Sequence, residues 1–291
     1  MKKILIKDLI ERFNRDNDLR QLRPDSLAYY KQFLGYFVAW LPANIKWSNQ
    51  LTKELFEEYQ LYIYGKVEKS TTQATYFRAV RRLYNFSAEN GYSSLVKIKL
   101  PKTKRPIKPT FSDSDVAKLI EGFGDSKADL ICLLLISTGI RSRTLRCLKV
   151  CDYSPSEKQL RLTDLKNGEE ALLPIPQLVC DKLTSYIKKK KLGQHDFLLL
   201  DHKGKQYTRN GLYQFIRKSL ARRGIPSSGI HIFRRTYAKL MAREGCPSIT
   251  LSRCLTHKTI SQSEYYVNLY GKDLERAVER YNPVVTFKDK K

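Results

Sequence analysis

Three prolines within eleven residues, LPKTKRPIKPT at 100–110, constrain this chain more than any other stretch. Pro101, Pro106 and Pro109 remove backbone donors and fix φ, so neither a helix nor a central strand can run through them. The segment has no hydrophobic period and carries four basic residues, the composition of an interdomain linker. It divides the 291 residues into two blocks, 1–99 and 111–291, each long enough to bury a core of its own.

Periodicity on the N-terminal side is helical throughout. Ile6, Leu9, Ile10 and Phe13 share one face of a helix over 4–16. A second helix is expected from near Pro24 to Pro42, and a third over LTKELFEEYQLYIYG, ending at Gly65. A fourth starts at a capping box, Ser70 with Gln73, and ends at Asn90-Gly91. With no strand pattern, this block reads as an all-α domain.

The second block opens with a helix capped by Ser112 and Asp115. The run ADLICLLLIST is apolar on every side and has to be core. It breaks at Gly139, and Arg141 stands at the entry to the next helix, SRTLRCLKV. The chain's strand signals follow, at Cys151–Ser154, Gln159–Thr163 and Glu170–Ile175. Asn167-Gly168 is a strong hairpin turn signal, and Lys166 directly precedes it. Helices then cover 176–193, Thr208 to Gly224 and His231 to Gly245, and the tail from Lys272 repeats Leu274, Val278 and Tyr281 up to Pro283. The expected fold is mainly α, in two domains: a helical first domain and a mixed α/β second domain with a small antiparallel sheet.

Charge narrows the partner. The chain carries 54 basic against 29 acidic residues, a formal net charge of +25. Residues 1–110 hold 21 basic and 10 acidic, and 111–291 hold 33 and 19, so both blocks share the excess. A polyanion is the natural partner, since phosphates release counterions when basic residues neutralise them. A membrane surface is disfavoured by the lack of an acylation signal or a long apolar span. MKKILIKDLIERF begins like a signal peptide but turns charged after six residues. The six cysteines show no Cys-x-x-Cys spacing. The expectation is a cytoplasmic protein with reduced thiols and no structural zinc.

The chemistry concentrates between His231 and Tyr270, HIFRRTYAKLMAREGCPSITLSRCLTHKTISQSEYYVNLY. Arginine forks and histidines suit a phosphodiester, and a tyrosine could attack it. These residues resemble the catalytic end of the tyrosine recombinases, also called phage-type integrases. That family carries His-x-x-Arg, then a histidine or tryptophan, then a tyrosine nine residues on. His231, Arg234, His257 and Tyr266 stand at that spacing. Upstream, Thr138-Gly139-Ile140-Arg141, Lys166 before a hairpin turn, and the LeuLeuProIle run at 172–175 follow the family order.

The resemblance implies that 1–99 is a core-binding domain clasping DNA, with Arg78, Arg81 and Arg82 of its fourth helix near the duplex, and that the linker lets both domains close around it. It implies that Arg141 and Arg234 bind the scissile phosphate, that His257 adds a hydrogen bond, and that Tyr266 attacks with His231 as base. Lys166 would protonate the leaving 5′-oxygen, and Arg235 would contact DNA. No cofactor and no metal are implied. The expected partners are double-stranded DNA sites, a homotetramer with a docking tail helix, and accessory proteins.

Two positions depart from the family pattern. Thr144 stands where an acid usually helps to hold the first arginine, so another carboxylate or a hydroxyl has to serve. Arg235 stands where a histidine is common. Tyr265, four residues before Leu269, is expected to pack, leaving Tyr266 to attack. Rival functions are a DNA regulator that only binds and a type IB topoisomerase-like relaxing enzyme. Rolling-circle nickases are disfavoured because no two histidines stand two residues apart.

Overall fold

The computed structural model describes residues 2–101, 107–122, 124, 126–163, 169–226 and 229–271. The chain forms two compact units, 1–106 and 107–291.

In the first unit α1 (Ile6–Leu19), α2 (Pro24–Trp40), α3 (Lys53–Lys66) and α4 (Ser70–Glu89) surround an aromatic core. Helix α4 packs on the other three because its Ala74, Phe77, Val80, Leu83 and Ser87 recur every three or four residues on one face. Phe13, Phe37, Tyr59 and Tyr84 complete that core, mostly in edge-to-face pairs. Arg78 faces solvent, Arg81 is half-buried, and Arg82 is held 3.0 Å from Glu89.

Two local expectations fail here. The box at Ser70 does not form: Lys69 is the N-cap, without a side-chain bond, and Gln73 Nε2 donates to the Val67 carbonyl instead. That carbonyl is left over where α3 ends, so the amide satisfies a neighbouring helix rather than its own. Helix α3 also runs one residue past Gly65. Tyr59 and Ile63 bury its inner face, and such packing outweighs the roughly 1 kcal/mol that a helical glycine costs.

The second unit is built on α6 (Ser126–Thr138), whose residues Leu130 to Ile136 are all buried. Around it pack α5 (Asp113–Glu121), α8 (Gln177–Lys190), α9 (Arg209–Ala221) and α10 (His231–Arg243). Ser112 and Asp115 form the expected capping box of α5, with Ser112 Oγ accepting from Asp115 N at 3.1 Å. Helix α7 (Ser142–Cys147) is shorter than its sequence pattern, ending before Leu148.

The sheet is three-stranded and antiparallel, in the order β1 (Tyr153–Ser154), β2 (Gln159–Leu162), β3 (Ala171–Pro174). Leu160 pairs with Leu173 and Leu162 with Ala171, so Leu160, Leu162 and Leu173 face the core while Arg161 and Leu172 face out. The first strand is shorter than expected because Val150–Asp152 form a 3₁₀ turn, with Asp152 accepting from Lys149 N. Two short helices, α11 (Ser248–Cys254) and α12 (Ser261–Tyr270), finish the described chain. Lys166, the Asn167-Gly168 turn and the tail helix lie outside the described residues. Among the described residues no helix is long and apolar enough to cross a membrane.

Candidate active site

Three chain turns meet around two arginines. The first turn ends α6, where Gly139 takes φ +60° and delivers Arg141 to the N-cap of α7. The second is the start of α10, with His231 in its first position and Arg234 three residues, a little under one turn, later. The third ends α11 and carries Leu255, Thr256 and His257.

That third turn is a Schellman motif. His257 N donates to Ser252 O and Thr256 N to Arg253 O, both at 2.9 Å, around Thr256 at φ +48°. The motif turns two successive carbonyls toward the arginines. Arg234 donates through Nη1 to Gly139 O at 2.9 Å and through Nη2 to Leu255 O. Arg141 donates to Thr256 O at 3.2 Å and to Thr256 Oγ1 at 2.7 Å. Arg234 is 9% exposed, and no carboxylate pairs with either arginine among the described residues. Thr144 is buried in α7, and the hydroxyl that anchors Arg141 belongs to Thr256.

Two fixed guanidiniums with no carboxylate partner among the described residues have the chemistry to receive an anion. Each keeps N–H donors beyond those already used. Burial pulls both arginine pKa values down, and in Arg234 the neighbouring Arg141 adds to it. Both remain charged at neutral pH.

The same field acts on the histidines. The His231 ring reaches solvent, yet partial loss of hydration and then Arg234, Arg235, Arg141 and Lys108 hold its pKa below the ordinary imidazole value. His257 is pushed down to about 4, by burial first and then by Arg234 and Arg141. Its Nδ1 lies 2.7 Å from Ser263 Oγ, which fixes the ring. At neutral pH both rings are therefore neutral: one able to accept a proton, the other able to hydrogen bond.

The His257 shift carries a stability signature. An unfolded histidine takes up a proton near pH 6.5, whereas the folded one resists until about pH 4. Between those values the unfolded state binds the extra proton, so stability falls as pH falls through that window. Urea unfolding at pH 7 and pH 4.5 should give a loss of about 2 kcal/mol from this group, and His257→Gln should remove that part of the slope. An unchanged slope in the variant would place the acid sensitivity elsewhere.

Tyr266 comes from α12, which packs on α10 and α11 of the same chain. Its ring is half-buried against the small cluster of Ala238, Leu251 and Leu255, together with Tyr237 and Met241. Burial raises its pKa, while Arg234 and Arg235 oppose the rise. Here the reading of the tyrosine pair reverses in part. Tyr265 is 40% exposed and stacks edge-on against Tyr266, and Tyr266 is the one that packs. The rotation of about 100° between neighbours on a helix turns Tyr266 toward α10, where the arginines are. Arg235, expected on DNA, donates through Nε to Pro109 O at 2.9 Å.

A model of the phage integrase family matches residues 113–272, more than half of the chain. The chain belongs to this family, the tyrosine recombinases. The tyrosine recombinase XerA of Saccharolobus solfataricus is 30% identical over 209 residues, covering 72% of this chain and 67% of that one. XerC of a Roseiflexus species is 25% identical over 282 residues, covering 91% and 90%. In fold, the chain is similar to the Tn1549 transposon integrase solved with transposon right end DNA. That likeness has a TM-score of 0.78 at 13% identity, over 95% of this chain and 99% of that one.

In this family member the structure brings Arg141, His231, Arg234, His257 and Tyr266 within electrostatic reach of one another in the second unit, and Lys166 lies outside the described residues. Four groups at the site were not legible in the sequence: the carbonyls of Gly139 and Leu255, Thr256, and Ser263. Carbonyls have no residue signature. Thr256 follows a helix end where glycine or asparagine would have signalled the turn. Beside His231 a cleft of about 440 Å³ is lined by Ser142, Arg209, Asn210 and Tyr213. Among the described residues no group of three His, Cys, Asp or Glu side chains could hold a metal ion.

Proposed function

We propose that this recombinase cuts and rejoins DNA strands through a 3′-phosphotyrosine. The observation that carries the reading is the pair of arginines, buried Arg234 and partly buried Arg141, fixed by carbonyls and the Thr256 hydroxyl with no carboxylate partner among the described residues, beside Tyr266. The non-bridging oxygens of the scissile phosphate would take the place of that missing charge. Positioning and electrostatics of this kind supply most of the catalysis in phosphoryl transfer.

Tyr266 Oη attacks phosphorus, and its proton passes to His231, neutral at working pH. The bond to the 5′-oxygen breaks, and Lys166 supplies the proton to that oxygen. His257, held through Nδ1 by Ser263, donates from its other nitrogen to the phosphate. The phosphotyrosine conserves the bond energy, so a 5′-hydroxyl from a second strand can rejoin without a nucleotide cofactor. Four protomers on two short sites would exchange strands through a Holliday junction, the tail after Gly271 docking between neighbours. The first unit would clasp the duplex, with Arg78 and Arg81 its freer contacts and Arg82 shared with Glu89.

The test uses a duplex selected by this protein from a randomised library and nicked beside the cleavage position. A covalent protein–DNA band should accumulate in excess EDTA without ATP. Cleavage that chelation abolished and magnesium restored would overturn the mechanism.

A further inference from the structure

The turn that anchors Arg141 is built from an unfavourable residue. Thr256 sits at the left-handed position of the Schellman motif, φ +48°, with both motif hydrogen bonds made. A β-branched residue is a genuine outlier there, since its side chain crowds the backbone in a region that glycine enters freely. Glycine would close the same turn and present the same carbonyl. What it would lack is Oγ1, the atom that receives Arg141 Nη1 at 2.7 Å, the shortest of that side chain's three hydrogen bonds. All three go to Thr256 among the described residues.

We propose that Thr256 is the positioning residue for Arg141. Its hydroxyl and its carbonyl grip Nη1 together, and the carbonyl also receives Nη2. The guanidinium plane is thereby set against a turn whose next residue is His257 and whose preceding carbonyl holds Arg234. Backbone strain at Thr256 is retained because the hydroxyl orients a charged group that no carboxylate among the described residues restrains. A neutral anchor leaves the full positive charge of Arg141 for a phosphate, where an aspartate or glutamate would offset part of it. Thr256 touches no reacting atom in this scheme; it acts through Arg141.

This inference rests on the cleavage reading above, and the experiment separates the two. Three variants are compared: Thr256→Ser keeps the hydroxyl, Thr256→Val keeps the branch and the strain, and Thr256→Gly removes both. On the nicked selected duplex at saturating protein, Val and Gly should form the covalent adduct about ten-fold more slowly than wild type, and Ser within about two-fold. DNA affinity should change by less than about two-fold in all three, since the phosphate contact is misaligned rather than lost. Gly should melt about 5 °C above Val, being free of the left-handed strain, and still be no faster. A Gly variant with wild-type rate, or rates that simply follow melting temperature, would overturn the proposal.

A second readout needs no DNA. In ¹⁵N-arginine-labelled protein, with the Arg141 signals assigned through Arg141→Lys, rotation about its Cζ–Nε bond should be slow in wild type and Ser. It should be about ten-fold faster in Val and Gly. Equal rotation rates in all four proteins would also overturn the proposal. A wild-type protein with a restrained Arg141 and no covalent adduct would instead sink the cleavage reading and leave the anchoring intact.

Discussion

Tyr266→Phe should bind the selected duplex with unchanged affinity and form no covalent complex on the nicked site, a loss of about ten-thousand-fold or more. The substitution removes one oxygen and leaves the ring in its cluster with Ala238, Leu251 and Leu255. The fold should therefore hold, with a melting temperature within a few degrees of wild type. Tyr265→Phe is the control that the structure makes sharp. Tyr265 is adjacent in sequence and its ring centroid is 5.4 Å from that of Tyr266, yet it lies on the exposed side of α12. It should cleave within about two-fold of wild type, since a solvent-facing phenol reaches no phosphate held by Arg234. Peptide mass mapping of the wild-type adduct decides the matter. A modified Tyr265 or Tyr270, or an adduct persisting in Tyr266→Phe, would show that the attack comes from elsewhere.

Gly139→Ala should cost about 2–4 kcal/mol of stability and disable cleavage even at temperatures where the variant is folded. Two effects add. At φ +60° an alanine is strained, and its Cβ would stand 2.7 Å from Tyr237 Cδ1 and 2.8 Å from Leu255 Cδ2. Leu255 does not move freely, because it is buried and its carbonyl holds Arg234. The Gly139 carbonyl holds the other end of that guanidinium. Relieving the clash thus shifts both acceptors of Arg234 together. Gly91 supplies the comparison: it has φ +71° but nothing within 4 Å of a built Cβ. Gly91→Ala should cost only about 1 kcal/mol, the strain alone, with cleavage unchanged. Urea unfolding and the nicked-duplex assay measure both. A Gly139→Ala protein no less stable than Gly91→Ala would mean that the close approach of α6, α10 and α11 is wrong.

Much of this molecule is written locally. The prolines of 100–110 interrupt the sequence periodicity, apolar residues every three or four positions mark the helices, and the continuous apolar run of 130–136 marks the buried α6. The alternation of Leu160, Arg161 and Leu162 marks a strand with one face inward. Such patterns survive folding because each reports which side of one element avoids water. The candidate side chains were legible for a similar reason. Arginine, histidine and tyrosine at family spacing identify themselves by type, and the structure gathers those that it describes.

Tertiary structure decided what holds them. Arg234 rests on the carbonyls of Gly139, 95 positions away, and Leu255, 21 away; Arg141 rests on Thr256, 115 away. A backbone oxygen is present at every residue, so no sequence pattern tells which will be turned toward a guanidinium. That depends on how three separate helix ends pack. The same limit explains Gln73, which served Val67 rather than a box with Ser70, and Tyr266, which packed where Tyr265 was expected to. In each case a local preference worth about 1 kcal/mol yielded to burial and to partners that only the folded chain brings near.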